Sequence, residues 1–248
     1  MQSNPLDRNA DPKATDLAAM HEKLLRENDR LRGDLLTIAR RFSHDLRTPL
    51  GGIISADEAI IDLLAETDPA TVPLALSSLN CAEEISQLIK RVSLVVKATA
   101  QPVVPQLLGM GSPLSTALQR LESRILKTGA AITKPVSWPN IHGVEAWLEV
   151  VWWNLLSNSL LHAGHSPRIE LGWRQENKKI QFWISDNGPG IPAAQRSKLF
   201  QPFHTLHELE AARGLGLSIV QRLVELQGGD CGHESPPGGG TRFFFALP

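Results

Sequence analysis

Arg41-Phe42-Ser43-His44-Asp45-Leu46-Arg47-Thr48-Pro49-Leu50 sits inside a long run of helical periodicity. On a helix, His44 and Thr48 share a face, and Asp45 and Thr48 are neighbours at a three-residue step. Pro49 cannot donate to the Asp45 carbonyl and its ring crowds that group, so the backbone is expected to bend beside the histidine. A nucleophilic imidazole, a carboxylate and a deformable turn therefore lie within a few residues of one another. A lone His-Asp pair on a helix is ordinarily a solvated surface pair. The flanking sequence and the distant C-terminal half decide whether this one is more.

Upstream, Leu24, Asn28, Leu31, Leu35, Ile38 and Phe42 alternate by steps of four and three, flanked by Glu22, Lys23, Arg26, Glu27, Asp29, Arg30 and Arg32. That narrow seam predicts a coiled coil feeding into the His44 segment, with Asn28 at an interior position where a polar residue fixes register. A single amphipathic helix packed on its own domain is the alternative. Downstream, Ile53, Ile60, Ile61 and Leu64 continue the pattern to Glu66-Thr67-Asp68-Pro69, and a second helix is expected from about Val72 to Lys97. One helical hairpin cannot bury both apolar stripes. Two of them, from two chains, close a four-helix bundle, so a homodimer is expected. Residues 1–20 are polar, carry Pro5 and Pro12, and are expected to be disordered.

The Pro- and Gly-rich stretch Ala100–Gly111 marks a boundary. The spacing beyond it predicts one helix from Ser112 to about Lys127, a strand over Ala131–Trp138 and a helix over Val144–His162. Strands follow over Arg168–Trp173 and Lys179–Ser185, joined by a longer loop, then a helix over Leu215–Leu226 stopped by Gly228-Gly229, and a last strand over Thr241–Leu247. The expected organisation is therefore an all-α hairpin over 21–100 and an α/β sandwich over 101–248, with a mixed sheet covered by helices on one face.

The totals exclude several classes. A chain of 248 residues with 42% hydrophobic and 21% charged residues is an ordinary globular protein of one or two domains. A net charge of −1 leaves no basic footprint, so no nucleic acid is implied. No apolar run reaches the length of a membrane span, no secretion signal is visible, and Cys81 and Cys231 show no metal-ligand spacing. A cytoplasmic protein is expected.

Three patches in the C-terminal part suit a nucleotide. Asn154 and Asn158 lie four apart on a helix, projecting two amide oxygens side by side toward a hard cation such as Mg²⁺. Asp186-Asn187-Gly188-Pro189-Gly190 follows a strand; a carboxylate there can accept the exocyclic amine of adenine, with glycines allowing close approach. Arg213-Gly214-Leu215-Gly216-Leu217 opens a helix, where backbone N–H groups and the dipole attract phosphate. Each has an ordinary explanation alone: a solvated asparagine pair, a hairpin turn, a common Gly-x-Gly.

Together, in this order, they resemble the catalytic core of two-component sensor histidine kinases over residues 20–248. Ser43–Leu50 is similar to the phosphoacceptor box and Asn154–Ala163 to the N box. Asp186–Gly190 is similar to the G1 box, Leu199–Phe203 to the F box, and Gly214–Leu217 to the G2 box. The resemblance implies an ATP-dependent histidine kinase in which His44 attacks the γ-phosphate and Asp45 orients or deprotonates it. It implies that Asn158 ligates Mg²⁺ with support from Asn154, and that Asp186 binds adenine in a pocket shaped by Gly188 and Gly190. It further implies that Gly214, Leu215, Gly216 and Leu217 meet the phosphates. The phosphoryl group would pass to an aspartate on a response-regulator receiver domain, and Thr48 would serve the reverse, phosphatase activity. The alternative is a catalytically weak or phosphatase-biased docking module for such a regulator. Leu161 stands where the family carries Lys or Arg, and Arg213 and His162 are the candidates to replace that charge. No sensory domain is visible, so the signal is expected from an upstream sensor protein or from a segment outside this chain.

Overall fold

The computed structural model describes residues 12–101, 103–176, 178–201, 215–236 and 239–248. Helix α1 (Pro12–Thr67) runs 56 residues, and α2 (Val72–Ala100) returns against it. α1 already begins within the stretch expected to be disordered; Ala14, Ala18 and Ala19 are strong helix formers, which outweighs the polarity. It also continues through Pro49 as one element. The turn between the helices is tied by Thr71 Oγ1 donating to Asp68 Oδ2 at 2.7 Å, with a proline in the first turn of α2. Leu50, Ala75, Ala82 and Ala98 are buried between and beneath the helices, and the Ser43 and Ser93 hydroxyls hydrogen-bond across them, fixing their relative height.

The predicted seam is uncovered in one chain. Leu24, Leu31, Leu35, Ile38 and Phe42 are each 45–64% exposed, and Ile53, Ile60, Ile85 and Val92 extend the apolar stripe along the hairpin. Among the described residues, no helix is long and apolar enough to cross a membrane.

After a ribbon strand β1 (Gln106–Gly109) come α3 (Gly111–Arg120), α4 (Glu122–Thr128), β2 (Ala131–Thr133), β3 (Asn140–Gly143) and α5 (Glu145–His162). Then follow β4 (Arg168–Glu176), β5 (Lys179–Asp186), α6 (Ala193–Arg196), α7 (Gly216–Glu225), β6 (Asp230–Glu234) and β7 (Thr241–Leu247). β1 pairs with β3; the main sheet has the order β2-β4-β5-β7-β6, with β2 parallel to β4 and the other neighbours antiparallel. The mixed sheet with α3, α5 and α7 packed on it matches the architecture expected from the sequence.

Local details differ. The single helix expected over 112–127 breaks at Leu121, whose φ of −103° and ψ of 3° lie outside the helical well. The expected strand over 131–138 stops at Thr133, because Pro135 and Pro139 cannot donate to a ladder. β4 runs to Glu176 and β5 starts at Lys179, so the connection is two residues long rather than a longer loop.

The alternation along the strands fills one core. Phe182 faces Phe245 and Ile184 faces Phe243 across β5 and β7, and Leu171 faces Ile184 across β4 and β5. On these lie Leu148, Val151, Trp152 and Leu155 of α5 with Ile219, Val220 and Leu223 of α7. Trp152 is fully buried, edge-on to Phe245 at 5.2 Å and to Trp138 at 5.7 Å, and its indole N–H points at Met110 Sδ at 3.1 Å. Trp152→Ala is expected to cost about 3–5 kcal/mol in chemical denaturation, because the cavity would lie where α5 meets the sheet. Cys231 is half-buried, and burial pushes its thiol up to about 12, which makes it a poor nucleophile at neutral pH; Cys81 is exposed, and both are free.

Candidate functional site

Asp186 is the last residue of β5, and the sheet register places it between Ile169 of β4 and Thr241 of β7. It is 7% exposed. Oδ1 accepts from the backbone N–H of Gly188 at 2.9 Å and of Thr241 at 3.3 Å, and Oδ2 accepts from Ser159 Oγ of α5 at 3.3 Å. Burial raises its pKa above the ordinary carboxylate value; the hydrogen bonds from Gly188, Thr241 and Ser159 and the nearby His162 act against that rise. The carboxylate is thus held in one orientation by donors from three elements.

The glycines around it allow close backbone approaches. A side chain on Gly188 would begin 2.7 Å from the His162 carbonyl, so this glycine lets the loop close onto the end of α5. Gly240, with a φ of 82°, passes so near the Asp186 carbonyl that no side chain fits. Gly240, Thr241 and Ser159 all support Asp186 and were not singled out from the sequence. A Gly-Gly-Gly run signals only a turn, and a hydroxyl donor 27 residues away or a backbone N–H 55 residues away leaves no local pattern. Asn187 Oδ1 accepts from the Arg168 N–H at 2.7 Å and so ties this loop to β4.

The asparagine pair is brought to the start of α7. A side chain on Gly216 would begin 3.0 Å from Asn154 Oδ1 and 3.8 Å from Asn158 Oδ1. Glycine therefore lets a helix N-terminus approach two amide oxygens. The first intrahelical bond there runs from the Ile219 N–H to the Leu215 carbonyl, so the N–H groups of Gly216, Leu217 and Ser218 have no partner within the helix. Asn154 is 1% exposed: its Nδ2 donates to Val150 O at 2.7 Å, and its Oδ1 accepts from Arg91 Nη1 of α2 at 3.2 Å. Asn158 is half-buried. His162, considered as a substitute phosphate contact, is set at the Asp186 end instead. Leu161 is half-buried. Arg213 and Gly214 lie outside the described residues, as do the last two residues of Leu199–Phe203; Leu199 is buried and Phe200 packs against the core.

On the hairpin, the His44 side chain is 80% exposed and its Nδ1 lies 3.3 Å from Asp45 Oδ1; Thr48 is exposed. This group lies at about the same level along the hairpin as the α2 residue that reaches α5. Ser43 contacts Ser93, and Arg91, two residues from Ser93 and so about 3 Å along the helix axis, holds Asn154. Trp153 faces the hairpin, with the Arg91 guanidinium 4.7 Å from its ring centroid, while Trp152 is core.

Residues 143–248 match the family of histidine kinase-, DNA gyrase B-, and HSP90-like ATPases. The chain is 29% identical over 209 residues to the methanogenesis regulatory histidine kinase FilI of Methanothrix harundinacea, covering 83% of this chain and 24% of that protein. It is 28% identical over 236 residues to the adaptive-response sensory kinase SasA of Prochlorococcus marinus, covering 91% of this chain and 61% of that one. Over most of its length the chain is similar to histidine kinases. Full-length ShkA in complex with AMPPNP shares the fold, with a TM-score of 0.64 at 24% identity over 85% of this chain and 45% of that chain. The chain thus spans about a quarter of FilI and three fifths of SasA. Its ATP-binding fold gathers Asp186, the asparagine pair and the α7 N-terminus, and its hairpin carries His44.

Proposed function

We propose that the chain is an ATP-dependent protein-histidine kinase that phosphorylates His44 and passes the phosphoryl group to an aspartate of a response-regulator receiver domain. The observation that carries this reading is the convergence of Asn154, Asn158 and the α7 N-terminus beside α2, at the height of the His44 segment.

Each residue has a role that its geometry supports. Asp186 accepts the exocyclic amine of adenine on a carboxylate already oriented by Gly188, Thr241 and Ser159. The N–H groups of Gly216, Leu217 and Ser218 receive phosphate oxygens at the positive end of α7. Among the described residues there is no cluster of His, Cys, Asp and Glu able to hold a metal. A cation here would rest on amide and phosphate oxygens, a donor set that fits Mg²⁺, which keeps several waters and binds through few protein ligands. Asn158 would hold it, with Asn154 in support, and when bound it would neutralise charge developing on the phosphates.

His44 supplies the nucleophile. With its proton on Nδ1 facing Asp45, the Nε2 lone pair points outward. The Nε2–phosphorus bond forms as the bond between the γ-phosphorus and the β–γ bridging oxygen breaks. ADP leaves with the electron pair, and the imidazolium returns its Nδ1 proton to Asp45 or solvent. Thr48, one turn along, would position water for the reverse reaction on a phosphorylated regulator. The test is incubation with γ-labelled ATP and Mg²⁺: acid-labile, alkali-stable label on the chain is expected. A chain that binds ATP and takes no label would leave only the regulator-docking reading.

The uncovered seam on α1 supports a homodimer closed by a second copy of the hairpin. Leu31→Asp with Leu35→Asp is expected to shift the chain from dimer to monomer in analytical ultracentrifugation at micromolar concentration, because two charges would enter an apolar interface. A dimer of undiminished stability would assign that stripe another partner.

A further inference from the structure

Arg91 of α2 belongs to none of the quoted motifs, yet it reaches the nucleotide helix. Its guanidinium lies 4.7 Å from the Trp153 ring centroid, Nη1 donates to Asn154 Oδ1 at 3.2 Å, and Nε donates to the Gln87 carbonyl of its own helix at 3.3 Å. The amide orientation of Asn154 is set independently, since its Nδ2 donates to Val150 O at 2.7 Å. Oδ1 must therefore face away from the α5 backbone, toward both Arg91 and the α7 terminus at Gly216. One buried oxygen thus accepts from the hairpin and borders the phosphate end of the site.

We propose that Arg91 is an interdomain clasp whose hold on Asn154 Oδ1 excludes a divalent cation from that oxygen, so that metal–nucleotide binding and docking of the ATP-binding domain on α2 oppose each other. The proposal rests on the reading of Asn154 and Asn158 as the cation end of the site. A cation ligated by Oδ1 sits about 2.1 Å from it, and Arg91 Nη1 sits 3.2 Å from the same atom. The two positive groups would then lie within about 5 Å in a largely desolvated space. Other contacts cross the same boundary: Arg222 Nε of α7 donates to Thr99 Oγ1 at 3.4 Å, and Leu94 and Val95 pack against the domain core. Docking is therefore broader than the clasp, and the clasp supplies the part that senses the cation. Linkage requires the opposition to be reciprocal: whatever loosens Arg91 tightens metal-dependent nucleotide binding by the same factor.

The test is the affinity of the full chain for a non-hydrolysable ATP analogue, with Mg²⁺ and with a chelator, in the wild type, Arg91→Ala, Arg91→Gln and Asp186→Asn. Both Arg91 variants are expected to bind the Mg²⁺ complex about five- to ten-fold more tightly and the metal-free analogue within about two-fold of wild type. Hydrogen exchange gives a second readout. The Mg²⁺ complex should raise exchange in residues 92–99 of the wild type, and both variants should already exchange faster there without ligand. Unchanged or weaker Mg²⁺-dependent binding in both variants, or exchange in 92–99 that is the same in all chains and states, overturns the clasp. If Asp186→Asn weakens binding while the Arg91 variants match wild type, only the clasp is wrong. If Asp186→Asn binds like wild type, the nucleotide-site reading on which it rests is wrong.

Discussion

Replacement of His44 by glutamine is expected to abolish phosphoryl incorporation from ATP while leaving nucleotide affinity unchanged. Glutamine keeps a polar side chain of similar reach but has no nucleophilic nitrogen at neutral pH, so the loss should be complete rather than partial. The substitution should not disturb the fold. The His44 side chain is 80% exposed, and its recorded partner is the adjacent Asp45, whose side chain is 76% exposed. An exposed pair of this kind contributes little to stability. Label surviving in His44→Gln would assign the acceptor elsewhere, and simultaneous loss of ATP binding would mean that His44 supports the site instead of reacting in it.

Asp186→Asn is expected to weaken ATP binding at least ten-fold without loss of thermal stability. The amide fits the cradle: its oxygen can accept from Gly188 and Thr241 as Oδ1 does now, and its NH₂ can donate to a reoriented Ser159 hydroxyl. What is lost is a charge-assisted hydrogen bond to the base, worth about 1.5–3 kcal/mol. The stability expectation follows from linkage. Burial raises the Asp186 pKa in the folded chain, so the folded state holds this proton to higher pH than the unfolded state. The associated stability is full below the unfolded-state pKa and is lost as pH rises through the folded-state pKa. At neutral pH the ionised carboxylate is a net cost, and the neutral amide removes it. The midpoint of Asp186→Asn at pH 7 should equal or exceed that of wild type. The wild type's ATP affinity should fall with acidification at a higher pH than an ordinary carboxylate would give. A variant that binds ATP normally, or one that melts several degrees earlier, would contradict the role given to Asp186.

Much of the fold was legible because long elements carry a period. The helix expected over Val144–His162 is α5, which runs from Glu145 to His162. The strands expected over Arg168–Trp173 and Lys179–Ser185 fall within β4 and β5. β1, β3 and β6 were missed because strands of four or five residues containing Gly109, Gly143 or Gly232 hold too few alternations to stand out. The break at Leu121 was missed because a leucine in the middle of a helical pattern gives no stop signal. The motif residues of the site were legible, since Asn154, Asn158, Asp186 and Gly216 belong to short local patterns. Their supports were not. Thr241 meets Asp186 across 55 residues, and Arg91 meets Asn154 across 63. An arginine on an amphipathic helix looks like any solvated cation until the neighbouring domain is in place. The neighbour of Gly188 was likewise not legible: a side chain there would meet the α5 terminus.

The most direct measurement is the location of the phosphoryl group, by mass spectrometry under alkaline conditions, after the full chain is incubated with ATP and Mg²⁺. A single phosphoryl group on the imidazole of His44 is the predicted result. A phosphoryl group on another residue, or an unmodified chain under conditions where ATP is bound, would contradict it.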